Sequence, residues 1–264
     1  MNLSIGVITS EVAPQITQVS LNSTEAIVIG GTKLIEFTAI INDTNGNINA
    51  SSITANISNA AVLSSNTSCV RVSGDGTGAN FSCTVSIDFF NVPGDWRVSV
   101  EAQDNASNFA QNSTTYFTLQ QTTAMNISSS AMSFPQGSPG DTNITASTGA
   151  VVVQNIGNKI YLNISVTGIN LLGDSVGSTT KIFAGNFTVS NATGSNAECT
   201  NTSRIGASLV NATAINIEGA NTTRGPVAKN NLYFCITALP PDVTKQTYST
   251  GGSPDEDDWT IAVT

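Results

Sequence analysis

The sequence predicts an all-β protein built as two β-sandwiches in tandem, and three observations carry that expectation. Short runs that alternate apolar and polar residues recur about every 8 to 15 residues, whereas helical periodicity is absent over any useful length. Thr, Val and Ile dominate the runs, with Gly, Asn, Asp and Pro between them. The series breaks once, at residues 121–125 (QTTAM), and a second begins after the turn-rich stretch FPQGSPGDTN at 134–143. A boundary near residue 123 divides 264 residues into two domains of ordinary size.

Residues 1–12 are expected to form an N-terminal extension or edge strand. Leu3, Ile5 and Val7 alternate with Ser4 and Gly6, ahead of the Glu11-Val12-Ala13-Pro14 punctuation. A protruding strand of this kind could complete a neighbour's open sheet and build a filament by strand donation. Residues 13–122 are expected to form the first sandwich, with strands at Ile16–Leu21, Leu34–Ile41 and Trp96–Val100. Asp43-Thr44-Asn45-Gly46-Asn47 has the D-x-N-x-N spacing of a calcium loop. An EF-hand needs Gly at the sixth position and Glu at the twelfth, where this chain has Ile48 and Thr54, so the segment reads as a turn between strands. Residues 123–264 are expected to form the second, larger sandwich.

Four cysteines are consistent with two disulfides in an oxidising compartment. Cys69 and Cys83 lie symmetrically about Gly76 in SCVRVSGDGTGANFSC. A hairpin turning at Gly74-Asp75-Gly76-Thr77-Gly78 puts them opposite each other, within disulfide reach. Cys199 and Cys235 then pair by elimination. Their spacing is not that of a zinc site.

Charge excludes several functions. Only 10% of the residues are charged, with nine Lys plus Arg against eighteen Asp plus Glu and a net charge of -9. Such a surface repels phosphate backbones, so no nucleic-acid partner is expected. No histidine is present, which removes the usual general base and zinc ligand. No G-x-S-x-G, P-loop or dinucleotide fingerprint occurs in context, and GDGTG lacks a following helix, so no enzyme is expected. No cofactor is expected either. Calcium is the one ion left open, weakly, at the acidic run Asp255-Glu256-Asp257-Asp258, whose default is a solvated loop. Trp96 and Trp259, each beside an Asp at a strand start, are assigned to core packing. No run approaches the length of a membrane span, and the start lacks the basic and apolar regions of a signal peptide. An exported chain of this sequence is expected to be a mature form or an excised ectodomain.

The asparagines carry the clearest signal. Seventeen lie in N-x-[ST] sequons: Asn2, Asn22, Asn42, Asn49, Asn56, Asn66, Asn80, Asn105, Asn112, Asn126, Asn143, Asn163, Asn186, Asn191, Asn201, Asn211 and Asn221. With 29 Asn and 65 Ser plus Thr in the chain, chance gives about seven. The excess points to N-glycosylation at surface positions of an exported protein. Seven sequons have an apolar middle residue: Leu3, Ile57, Phe81, Ile127, Ile144, Ile164 and Phe187. On a strand this places the sequon polar residues outside and the middle residue inside. Asn163 and Ser165 would thus oppose Leu162, Ile164 and Val166, while Asn186, Thr188 and Ser190 oppose Phe187 and Val189.

Two sets of residues carry a resemblance. Val92-Pro93-Gly94-Asp95-Trp96-Arg97-Val98-Ser99-Val100, followed by Ala102-Gln103-Asp104-Asn105-Ala106-Ser107-Asn108, is similar to the late strands of immunoglobulin-like surface domains. Ser138-Pro139-Gly140-Asp141 with Val152-Val153-Gln154-Asn155-Ile156-Gly157-Asn158 resembles the immunoglobulin-like modules of archaeal S-layer and other cell-surface glycoproteins. Asn230–Ile236 and Gln246–Ser249 are also similar to archaeal surface ectodomains. The resemblance implies two tandem immunoglobulin-like β-sandwiches at the cell surface. It implies a structural role in an archaeal envelope, as an S-layer-like coat or stalk, with self-association or other envelope proteins as partners. An adhesin for a glycan or another cell, or a filament subunit, are the alternative roles. The motifs bring no active site with them.

Overall fold

The computed structural model describes residues 10–60, 62–63, 67–191, 199, 207–209, 213–250 and 258–264. Asn2, Leu3, Ile5, Val7, Asn66, Asn201, Asn211, Asp255, Glu256 and Asp257 lie outside the described residues. The chain is all-β, with no α-helix among the described residues and two short 3-10 turns, Ala50–Ser52 and Ala184–Asn186. It divides into two compact units, Met1–Thr122 and Thr123–Thr264.

The first unit contains β1 (Gln15–Ser20), β2 (Thr24–Glu25), β3 (Thr32–Asn42), β4 (Thr54–Asn59), β5 (Val62–Leu63), β6 (Thr67–Ser68), β7 (Val70–Gly74), β8 (Gly78–Asp88), β9 (Gly94–Gln103) and β10 (Phe109–Leu119). One sheet runs β1–β3–β8–β7. The other runs β2–β10–β9–β4–β5, with β6 also on β4. All pairings are antiparallel except β2 with β10, which is parallel. Period-two alternation builds the sandwich. Ile35, Phe37, Ala39 and Ile41 of β3 and Phe81, Cys83, Val85 and Ile87 of β8 face one core with Ala55 and Ile57 of β4 and Trp96, Val98 and Val100 of β9. Trp96 is fully buried, its indole stacks on Phe117 at 6.5 Å, and Nε1 donates to the Val92 carbonyl at 2.8 Å. The indole therefore loses no hydrogen bond on entering the core.

The second unit contains β11 (Met125–Ile127), β12 (Thr142–Thr145), β13 (Val151–Asn155), β14 (Tyr161–Gly168), β15 (Leu171–Gly173), β16 (Lys181–Ile182), β17 (Phe187–Ser190), β18 (Ala207–Ser208), β19 (Thr213–Thr223), β20 (Lys229–Ala238), β21 (Tyr248–Ser249) and β22 (Thr260–Val263). A sheet runs β11–β13–β20–β17–β18, with β12 also on β20. Two three-stranded sheets run β19–β14–β22 and β16–β15–β21. Val153, Phe187, Leu232 and Phe234 from the large sheet share a core with Ile164, Val166 and Ile217 from the second. Trp259 is half-buried over this core, edge-on to Phe187 at 4.9 Å, with Nε1 donating to the Ile169 carbonyl at 3.0 Å.

Three sequence expectations are corrected here. Strand β11 begins at Met125, before the turn-rich stretch rather than after it, because its backbone pairs with Gln154 and its neighbours on β13. Thr188 and Ser190 do not face solvent: β17 is buried on both sides. Thr188 pairs with Cys235, so the two side chains share a face, and that face also carries the cystine to Cys199. Ser165 is buried too. The ladder between β14 and β19 is irregular between Asn163 and Ser165, and β14 is flanked on both edges, by β19 and β22.

The buried Asn155 accounts for part of the second resemblance motif. Its Oδ1 accepts from the Gly157 amide at 3.0 Å, and its Nδ2 donates to the carbonyls of Lys159 at 3.0 Å and Thr223 at 3.1 Å. One side chain thereby pairs three backbone groups that the sheets leave open. In the Ser138–Asp141 turn, Gly140 has φ 84°, and the Asp141 carboxylate accepts from the Ser138 amide.

Candidate functional site

Among the described residues, the sequons spread over both units, and none of the twelve sequon asparagines whose side chains are described is fully buried. Asn22, Asn42, Asn80, Asn105, Asn126, Asn143 and Asn163 are exposed, while Asn49, Asn56, Asn112, Asn186 and Asn191 are half-buried. Asparagines outside sequons behave differently. Of Asn45, Asn47, Asn59, Asn91, Asn108, Asn155, Asn158, Asn170, Asn216, Asn230 and Asn231, only Asn216 is exposed, and Asn155 and Asn158 are fully buried. A chain that makes sequons only through its composition would give both groups the same exposure. Here seven of twelve are exposed in one group against one of eleven in the other. The β19 strand carries Asn221.

Local structure explains the exposure. On β8, Asn80 points out between buried Ala79 and Phe81, and its Nδ2 donates to Ser73 Oγ at 2.9 Å. On β14, exposed Asn163 separates buried Leu162 and Ile164. Asn143 sits at φ 58°, a left-handed conformation asparagine tolerates better than most residues. Ile57, Phe81, Ile164 and Phe187 are fully buried, and Ile127 and Ile144 are half-buried against the core. Three of the five half-buried asparagines use their amides structurally. Asn112 donates to the Ile16 carbonyl at 3.2 Å and accepts from Thr114, Asn49 caps the 3-10 turn by accepting from Ser51, and Asn186 donates to the Ala238 carbonyl at 3.1 Å.

Both cystines close within their own unit, each tying a residue outside the strands to a strand. Cys69–Cys83 links the residue before β7 to β8 with Cα atoms 4.3 Å apart, and Cys199–Cys235 spans 5.3 Å. At the hairpin tip, the Asp75 carboxylate accepts from the Thr77 hydroxyl at 2.7 Å and the Thr77 amide at 2.8 Å. These bonds, the hydroxyl foremost, hold its pKa below the ordinary 3.8. Asp104 lies in the turn before β10. Burial pushes its pKa up, but hydrogen bonds from the Asn108 side chain and backbone outweigh that and leave it below 3.8.

Two further polar features lie on the surface. In the second unit, Gln246 Nε2 is within hydrogen-bond reach of Ser178, Thr180, Thr244 and Tyr248 oxygens, and its Oε1 accepts from the Ser175 amide. A Cβ on Gly173 would overlap the Gln246 side chain, so the absence of a side chain there makes room for this cluster. Burial raises the Tyr248 pKa, while bonds to Thr180, Thr244 and Gln246 bring it below 10.0. In the first unit, an open depression of about 420 Å³ beside Asn22 is lined by Leu21, Glu36, Phe37 and Ser82.

Among the described residues, no three His, Cys, Asp or Glu side chains group to hold a metal. Of the acidic run, Asp258 is described, and it accepts from the Thr250 hydroxyl at 3.1 Å. No helix among the described residues is long and apolar enough to cross a membrane, which says nothing of spanning by strands. No known protein family matches the chain, and no curated protein matches it. Among solved structures, the chain is similar to the secreted serine protease VesC from Vibrio cholerae at 10% identity and a TM-score of 0.23. The match takes in 88% of this chain and half the length of that one, and a TM-score that low carries no argument about fold or activity.

Proposed function

We propose that this chain is a structural, N-glycosylated cell-surface protein of an archaeal envelope, built from two tandem immunoglobulin-like β-sandwiches and serving as an S-layer-like coat or stalk. The observation that carries the reading is that seven of the twelve described sequon asparagines are exposed, against one of the eleven others. Glycan attachment consumes the amide nitrogen and needs open space around it, which the seven exposed sites offer. A sugar coat also supplies the hydration that a surface with 10% charged residues lacks.

Other features support the same reading. Two cystines fit an oxidising compartment outside the cytosol. The strand order β1–β3–β8–β7 against β10–β9–β4 supports an immunoglobulin-like reading, the short strands β2, β5 and β6 being additions to the second sheet. Glycans on the outer faces would also discourage sheet edges such as β7, whose five residues are all exposed, from pairing with other chains.

Site-resolved mass spectrometry of the chain from its native host tests this. Added hexose-type mass is expected at Asn22, Asn42, Asn80, Asn105, Asn126, Asn143 and Asn163, with lower occupancy at Asn49, Asn112 and Asn186. Bare asparagine at all seven exposed sites would refute the reading.

A further inference from the structure

The Asp43–Asn47 segment is a turn, as its spacing of Asp, Asn and Gly predicts, but a turn does not account for all of its oxygens. Gly46 has φ 74° and its amide donates to the Asp43 carbonyl at 3.2 Å, closing the turn. Asp43 Oδ1 accepts from the Asn45 amide at 2.7 Å. Asp43 Oδ2 has no partner, although the residue is only 3% exposed. Asn47 Oδ1 in the same turn is likewise buried and unpartnered. Two acceptor oxygens without donors, one carrying charge, are what a buried site avoids unless something positive or hydrogen-bonding occupies it.

The surroundings supply more oxygen and no cation. Asn47 Nδ2 donates to Glu11 Oε2 at 3.1 Å, which brings a second carboxylate to the turn, and Val12 N donates to Asn45 Oδ1 at 2.9 Å. Ile48 bridges to Asp104, a third and buried carboxylate at this end of the sandwich. Among the described residues the one salt bridge is Lys33 with Glu25, so no lysine or arginine neutralises Asp43, Glu11 or Asp104. The loop is also tied to its neighbours by backbone hydrogen bonds. The 74–78 hairpin braces it through Asp43 N to Thr77 O at 2.9 Å and Ile48 N to Gly76 O at 3.3 Å, and Asn105 N donates to Asn47 O at 2.9 Å.

We propose that Asp43 Oδ2 and Asn47 Oδ1, with the Glu11 carboxylate beside them, form a calcium site at this end of the first unit. Carboxylate and amide oxygens are hard donors that suit calcium, whose coordination sphere water can complete, and they do not suit zinc. Fewer than three acidic side chains take part directly, because an amide oxygen fills one of the positions. Bound calcium would tie the lead-in segment carrying Glu11 to the turn.

Isothermal titration of the full chain with calcium chloride, after chelation and dialysis, tests the site. Asp43→Asn keeps the shape and the Oδ1 acceptor, and is expected to weaken binding by about tenfold or more. Glu11→Gln, at an exposed position that cannot upset the core, is expected to weaken it by a smaller factor. A chain with Asp255→Asn, Glu256→Gln, Asp257→Asn and Asp258→Asn together is expected to bind as the parent does. Absence of binding by the parent chain at millimolar calcium, unchanged affinity in both single variants, or loss of binding only in the acidic-run variant would each overturn the proposal.

Discussion

Replacing Asn155 with alanine removes three hydrogen bonds at once, to the Gly157 amide and the Lys159 and Thr223 carbonyls. Each is worth about 1 kcal/mol net, which sets a floor near 3 kcal/mol, and groups left buried without partners raise the loss to about 5 kcal/mol. Asn155 is fully buried, so water cannot replace the amide without opening the sheet. Urea unfolding followed by tryptophan fluorescence can read this, because Trp96 reports on the first unit and Trp259 on the second. With a slope of about 2 kcal/mol per molar urea, the midpoint of the Trp259 transition is expected to fall by about 2 M while that of Trp96 stays put. Asn155→Asp should be no better at neutral pH, since it sets a carboxylate against two carbonyl oxygens. It should partly recover in acid, where a protonated oxygen can donate again. A midpoint shift below about 0.5 M for Asn155→Ala would refute the account of this side chain as a clamp.

The remaining predictions concern the cystines, the hairpin tip and the sequons. Removing Cys69–Cys83, whose ends are 14 positions apart, should cost about 3 kcal/mol, and removing Cys199–Cys235, 36 positions apart, about 4 kcal/mol; unfolding of the paired alanine variants measures both. Asp75 titrates low when folded, so its contribution to stability is present above the unfolded value near 3.8 and is lost as pH falls through the folded one. Thr77→Val should therefore raise the Asp75 pKa toward 3.8 in an NMR titration, and an unmoved titration would count against the hydrogen-bond account. Asn163→Gln should change stability by less than about 0.5 kcal/mol, whereas Asn112→Gln should cost about 1 to 2 kcal/mol because the Asn112 amide ties β10 to the Ile16 carbonyl. Equal effects in thermal unfolding would contradict the split between free and engaged sequons.

Alternation made the β-strands legible. Wherever a strand has one face in the core and one in water, as in β3, β8 and β9, the period of two identifies the inner residues one by one. The Cys69–Cys83 bond was equally readable, because a hairpin places its partners by counting from the turn. The same counting failed on β17, where Thr188 and Ser190 look solvent-facing but are buried, on a strand paired with Cys235, whose disulfide partner Cys199 lies 36 positions away. Sequence period reports how a strand alternates and is silent on what later folds over its polar side. Asn155 was hidden for a related reason: a buried asparagine and an exposed one are the same letter until the backbone groups around it are known. The Asp43 turn shows the limit from the other direction. Its spacing suggested only a turn once the EF-hand positions failed, and the unpartnered oxygens appear only when each donor nearby has been assigned.

The pairing of β2 with β10 sets a schedule for folding. The start of the first unit docks on its end: Thr118 N donates to Ser23 O, and Asn112 reaches Ile16 across 96 positions of chain. During synthesis or export the second sheet of the first unit therefore stays incomplete until β10 has emerged, and contacts this far apart in sequence slow closure further. Until β9 has paired, Asn49 and Asn56, whose finished neighbours include Gln103 and Ser99, are more open than in the folded unit, and Asn112 stays open until β10 itself docks. An enzyme that modifies the emerging chain would meet them before the fold does and raise their occupancy toward that of the exposed sites, whereas one acting on the folded chain would leave it lower.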